Sequence, residues 1–558
     1  MTENPERTPI SRSATPIDAI AEAWVDTELE LFPEYHVYLG RPGREGEYAD
    51  YSPAGAERAA EEAKKTLAAI TAATPVDSID EVTKLDLARE LTLHLEKHEA
   101  GFAERDLNVI ASPPQDLRMI FDLVPTETED DWNNVAKRMN NLPGAVDGYI
   151  ETLRLGIRNG NVPAVRQVRE VLEQVGKYAS KDGFFFEFAG SAGNVPDSLK
   201  GDLEKAAGAS SQAYADLATF FRDELQQHAP EKDAVGREMY ALASRSFLGA
   251  TVDLDETYEW GIEELARMVS EQESIANEIK PGASVEEAIA FLDGDASRKL
   301  HGTDALQKWM QETSDRAVEE LSRTQFDIPD EVKRLECMIA PTQEGGIYYT
   351  GPTDDFSRAG RMWWSVPEGV TEFDTWRELT TVYHEGVPGH HLQIGQATYN
   401  KAQLNTWRRN AGTSGHAEGW ALYAERLMEQ LGYLDDPADR LGMLDGQRMR
   451  AARVVLDIGV HLEKTLPDGS GPWTGEYAFG FMGKNVNMSP EFVRFEVNRY
   501  LGWPGQAPSY KIGQRIWEQL RDDAAARAGA DFDIKAFHKR ALDIGGVGLD
   551  TLRAALAL

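Results

Sequence analysis

"TVYHEGVPGHHLQIG", residues 381–395, places two histidines six and seven positions after a first one, with a proline and a glycine between. The common zinc-binding arrangement is His-Glu-x-x-His, because residues i and i+4 lie about 40° apart around a helix and both imidazoles reach one ion. On an unbroken helix His390 would point about 120° away from His384, and His391 would lie about 10 Å further along the axis. Neither could share an ion with His384. Pro388 changes this: it offers no N–H to the carbonyl of His384, its ring clashes with that carbonyl, and it pushes Val387 out of the α region. The helix must break there, and Gly389 is free to adopt the backbone angle that restarts it. Two residues are then looped out, and His390 arrives where an i+4 histidine would stand. His391 points about a quarter turn away, behind the ligands, although the spacing leaves open which of the two is the second ligand.

On the upstream side, Trp376, Leu379, Val382 and Tyr383 recur at helical spacing, so His384 and Glu385 fall near the C-terminal end of a helix with an apolar side. Downstream, in "SGHAEGWALYAERLMEQLG" (414–432), Ala417, Ala421, Ala424, Met428 and Leu431 form the stripe of an amphipathic helix. Glu418 and Glu425 share a face beside that stripe. A zinc site with one open position takes two histidines and a carboxylate, and Glu418 is the candidate third ligand. Glu425, next to Arg426, reads first as a surface ion pair and second as a group backing the site. Glu385 follows the first ligand and projects toward the open position, where a carboxylate can take a proton from water and pass it to a leaving amine.

The rest of the chain sets limits. Its 558 residues are 41% apolar and 27% charged, as in soluble globular proteins. No apolar run is long enough for a membrane span and the N-terminus has no signal-peptide pattern, so a cytoplasmic protein is expected. A formal charge of −36 makes nucleic acid and anionic lipid unsuitable partners. Cys337 is the single cysteine, so any metal must sit on nitrogen and oxygen. Residues 1–15 read as a disordered tail and 16–340 as a helical region. Residues 341–558 read as a metal-site region joined with the first in one cleft-forming unit. The one β signal is "GGIYYTGPTDDFSRAGRMWWSVP" (345–367), a hairpin with strands at Ile347–Thr350 and Arg361–Val366. Tyr349 and Arg358 there could hold an extended peptide.

"HEGVPGHHLQ", "EGWALYAE", "RVVLDIGVH" and "PGQAPSYKIG" resemble the hallmark segments of the bacterial domain of unknown function 885 family, grouped with the gluzincin metallopeptidases. The likeness runs from "LFPEYHVYLG" (31–40) to "GGVGLDTL" (545–552). It implies a mainly α, cleft-forming fold similar to neurolysin and thermostable carboxypeptidase, with a small β-hairpin or sheet beside the metal site. In such relatives the glutamate ligand follows the second histidine by two to three dozen residues, which fits Glu418, and a tyrosine from a downstream loop stabilises the oxyanion, which fits Tyr510. Lys511 beside it, the row Arg453, Asp457 and His461, and His416 are candidates for binding substrate or orienting a ligand. The expected activity is zinc-dependent hydrolysis, with one ion per chain and a peptide as substrate. A small non-peptide amide is the alternative substrate, and a non-catalytic helical binding protein the alternative outside enzymes.

Overall fold

Helices begin where the sequence supplies a cap. Thr15, Ser52, Thr128 and Ser284 each accept from the backbone N–H three residues on, opening helices Pro16–Leu31, Pro53–Ala72, Glu129–Asn159 and Val285–Asp293. The computed structural model describes residues 12–341 and 346–557. Most of the tail expected over 1–15 lies outside the described residues. Its last part is tied down, since Arg12 pairs with Asp18, Asp77 and Asp80 and Thr15 completes a capping box.

The architecture is mainly helical, with two small sheets among the described residues. Among the described residues no helix is long and apolar enough to cross a membrane. In the first part of the chain, helix 129–159 packs along helix Asp197–Phe220 around Met139, Leu142, Tyr149, Leu203 and Tyr214. The main core forms where helix Leu254–Ile279 lies along helix Pro437–His461, and where helix Ser414–Gln430 crosses helix Ser509–Ala528. This core joins residues as far apart as Val82 and Leu556. Position 340 is therefore a change in local pattern that the packing runs across.

Among the described residues there are five strands: β1 (Lys299–His301), β2 (Leu335–Ile339), β3 (Ile347–Thr350), β4 (Gly360–Trp364) and β5 (Glu372–Asp374). The expected hairpin is β3 antiparallel to β4, with Tyr349 opposite Met362, and its second strand ends at Trp364 instead of Val366. β2 joins the other edge of β4 in parallel, giving the order β2-β4-β3. β1 pairs with β5 antiparallel. Leu306, Met310, Leu335, Met362, Trp364 and Val382 pack together beneath the three-stranded sheet. Val382 belongs to helix Thr375–Glu385, so the sheet holds the helix that carries His384.

Candidate metal centre

Helix 375–385 ends at Glu385, and a new helix, His390–Tyr399, starts at the second histidine. Between them Val387–Pro388 is cis, and the Gly386 and Gly389 N–H groups return to the carbonyls of Val382 and Tyr383. Gly389 is needed for space. Its φ is −75°, outside the left-handed region, but a Cβ built on it would lie 1.8 Å from the carbonyl oxygen of His384. The loop's own carbonyls are met from outside: the Trp420 indole N–H donates to Pro388 (2.8 Å) and Gly389 (3.2 Å). Trp420 is on the helix that carries Glu418, so one buried ring fixes the histidine loop against the third candidate ligand.

The break brings His384, His390 and Glu418 together, one ligand atom from each lying within 4.8 Å of the others. Glu418 Oε2 is 3.3 Å from His384 Nε2 and 3.6 Å from His390 Nε2. Ligands about 2.0–2.1 Å from a tetrahedral ion stand roughly 3.3 Å apart, so the spacing suits one. The same Oε2 is buried and accepts no hydrogen bond, a costly state for a carboxylate oxygen unless a cation completes it. Two imidazoles and a carboxylate make the donor set of a hydrolytic zinc site.

His384 is held from behind. Its Nδ1 lies 2.7 Å from Glu425 Oε1, to which an Nδ1–H donates, and this turns Nε2 toward the cluster. Burial disfavours a charged ring there, but Glu418 and Glu425 outweigh it and push the imidazolium up to about 10. Burial likewise works against charge on Glu418, yet His390 and His384 hold its carboxyl well below the usual range. Both shifts have one origin, imidazoles and carboxylates buried against one another. Glu385 is 7% exposed and makes no hydrogen bond among the described residues; burial raises its carboxyl, partly offset by His390 and His384.

Glu425 is no surface group. The helix expected to be amphipathic is buried from Trp420 through Met428, because helix 509–528 covers the side that the stripe left polar. A Cβ on Gly419 would meet Gly513 at 2.4 Å, and one on Gly513 would meet the Gly415 carbonyl at 2.2 Å, so the two backbones touch at these glycines. Arg426 turns instead to Glu271 (3.0 Å) and Glu429 (2.7 Å). Behind Glu425 runs a buried chain: Gln447 Nε2 donates to its Oε2 (3.2 Å), Lys511 Nζ donates to Gln447 Oε1 (2.7 Å), and Lys511 pairs with Glu264 (3.0 Å). Lys511 thus braces the group that orients His384. Gln447 gave no signal in the sequence, since a lone glutamine in a helix has no diagnostic spacing.

The structure places the remaining candidates as follows. His391 lies behind the site, its Nε2–H donating to the Val332 carbonyl (2.6 Å) and its Nδ1 accepting from Tyr349 (2.9 Å); with both nitrogens engaged it is not the second ligand. Tyr349 is thereby a strut between β3 and helix 390–399, and Arg358 bonds within its own loop, to the Gly351 carbonyl (2.8 Å). His416 is buried against Trp517 and contacts Gln393 instead of a ligand. Arg453 pairs with Glu496 (2.8 Å) and Tyr500 (2.7 Å). Asp457 accepts from Tyr240 (2.7 Å) and the Gly505 N–H (2.8 Å), and His461 bonds the Tyr500 carbonyl (3.0 Å). That row anchors the loop leading to Tyr510 and is not spare for substrate. Tyr510, packed against Arg450 and Arg453, is near enough to feel the Glu418 charge: burial lifts its hydroxyl to about 12, and Glu418 adds to the effect. A separate cavity of about 710 Å³, bordered by Lys97, Arg105, Tyr149 and Trp503, contains none of the three ligands.

Comparison with known proteins agrees with this architecture. The family described as "Bacterial protein of unknown function (DUF885)" matches residues 33–556, and the chain belongs to it. A "putative lipoprotein" from Colwellia psychrerythraea has the same fold, with TM-score 0.82 at 21% identity, over 97% of this chain and 98% of that one. A "putative lipoprotein of unknown function" from Shewanella oneidensis gives TM-score 0.77 at 18% identity, over 98% of this chain and 100% of that one. No curated protein matches significantly.

Proposed function

We propose that this member of the family is a zinc-dependent hydrolase of amide bonds, a peptidase in the first instance, with a gluzincin-like site spread over a helix break. The observation that carries the reading is the convergence of His384 Nε2, His390 Nε2 and an unsatisfied Glu418 oxygen on one point, with Glu425 holding the ring behind. Those three residues would hold the ion. When bound, it lowers the pKa of a water toward neutrality and polarises the substrate carbonyl.

The chain's own groups do the rest. Glu385, raised by burial and accepting no hydrogen bond among the described residues, takes a proton from the water whose oxygen bonds the carbonyl carbon. As the C–N bond breaks, Glu385 returns that proton to the departing nitrogen. Tyr510, still protonated at neutral pH, donates to the oxygen that gains charge. Glu425 and Gln447 keep His384 aimed throughout.

The test is Glu385→Gln, assayed with a peptide library and metal analysis. The variant is expected to retain one zinc per chain and lose about 10²- to 10⁴-fold in turnover. Unchanged turnover removes Glu385 from the mechanism, and a wild-type protein that binds no divalent ion removes the hydrolase.

A further inference from the structure

The cations around the site are not equivalent. Arg453 and Arg499 are committed to Glu496 (2.8 and 3.0 Å), and Lys511 to Glu264 and Gln447. Arg450, one turn before Arg453 on the same helix, has neither an ion pair nor a hydrogen bond among the described residues. Its Nε is closed off from solvent without a partner, while its terminal nitrogens keep access. Nearby carboxylates feel its charge, yet no group among the described residues takes up its N–H donors, and a buried donor without a partner is costly.

Its position is nevertheless specified. Gly446, a turn earlier, leaves room for it: a Cβ there would come 2.5 Å from Arg450 Nη1. Its Cζ is 5.9 Å from the centre of the Tyr510 ring. Its charge is felt at Glu385, Glu425 and Tyr510, and it stands one turn after Gln447, whose amide bonds Glu425. A planar fork with free N–H groups matches a carboxylate in two parallel hydrogen bonds.

We propose that Arg450 receives a free carboxylate of the substrate, so that the substrates are peptides or acylamino acids ending at the site. The assignment rests on the hydrolase reading for the identity of the bond broken, but the binding it describes belongs to the chain alone.

The experiment therefore uses metal-free protein. Calorimetry compares an N-acetylated tripeptide as free acid with the same peptide as carboxamide. Wild type is expected to prefer the acid by about tenfold or more, the worth of a charge-assisted pair. Arg450→Met should abolish the preference and Arg450→Lys restore part of it. Gly446→Ala, which displaces the fork without removing its charge, should weaken it. Equal affinity of wild type for acid and carboxamide overturns the proposal without reference to any variant, as does a preference that survives in a folded Arg450→Met protein. Neither result bears on Glu385. Conversely, a protein without zinc or turnover that still prefers the acid refutes the hydrolase and leaves the carboxylate site standing.

Discussion

Gly389 shows how much rests on one hydrogen atom. The loop that carries His390 back to His384 folds so tightly that position 389 lies against the carbonyls of Tyr383 and His384, at 2.5 and 1.8 Å from a notional Cβ. These are backbone atoms and cannot step aside. Gly389→Ala is expected to open the loop, destabilise the fold by about 1–3 kcal/mol and abolish stoichiometric zinc binding. Metal analysis of the folded fraction checks this; full zinc occupancy would show that the loop has slack. The same scale explains the two adjacent histidines. His390 keeps Nε2 for the cluster, whereas His391 spends both nitrogens on Val332 and Tyr349, and burial lowers its imidazolium to about 4, so it stays neutral.

At the scale of elements, the site depends on two helices meeting without side chains between them. Gly415, Gly419 and Gly513 allow helices 414–430 and 509–528 to touch, which sets Tyr510 and Lys511 against the Glu418 helix. The polar row of helix 437–461 then anchors the intervening loop through Asp457, whose carboxyl is pushed up to about 7 by burial against the pull of Tyr240 and Gly505. The linkage has a definite sign. Between the ordinary carboxyl value of 3.8 and about 7 the native state holds this proton more tightly than the unfolded chain, so stability from Asp457 is full at low pH and is lost as pH rises through 7. Asp457→Asn keeps an acceptor for both donors and cannot ionise. Its stability relative to wild type is expected to improve between pH 5 and pH 8, by up to about 2.7 kcal/mol at the 1.36 kcal/mol per unit ceiling. His461, lowered to about 4 by burial, is common to both proteins and cancels in that comparison. Denaturation midpoints at the two pH values decide it, and a pH-independent difference would mean that Asp457 is already ionised in the native state.

For the whole molecule, the ligands come from three helices that are separate in sequence but meet in the main core, so an ion held among them would tie the cluster to the fold as a unit. An ion bound only by the native state stabilises it by about 4 kcal/mol at a free concentration near 1,000 times its dissociation constant. Zinc is expected to raise the thermal midpoint of wild type and of Glu385→Gln alike, and to leave His390→Ala unmoved. An equal response from all three would place the bound zinc elsewhere on a surface that carries a net charge of −36.

The sequence by itself determined the helical class, the β3–β4 hairpin and the candidacy of His384, Glu418 and one of the two adjacent histidines, because these follow from local rules: periodicity, the missing N–H of Pro388, and the preference of a hydrolytic zinc site for two histidines and a carboxylate; which of His390 and His391 joins the cluster was left to the fold. Even the broken helix could be read from Pro388, although the reason for Gly389 could not, since the clash it avoids exists only once the loop is closed. Strands β1, β2 and β5 went unseen because three to five residues carry too little alternation to register. Tertiary structure alone decided which polar residues are spent on one another. Glu425 looks like a surface acid until helix 509–528 covers it, and Arg450, Arg453 and Lys511 look alike until packing gives two of them ion pairs and leaves the third with no ion pair or hydrogen bond among the described residues. Charge is written in the chain, but its neutralisation depends on which distant groups arrive within about 4 Å, and that is set by the packing of the core.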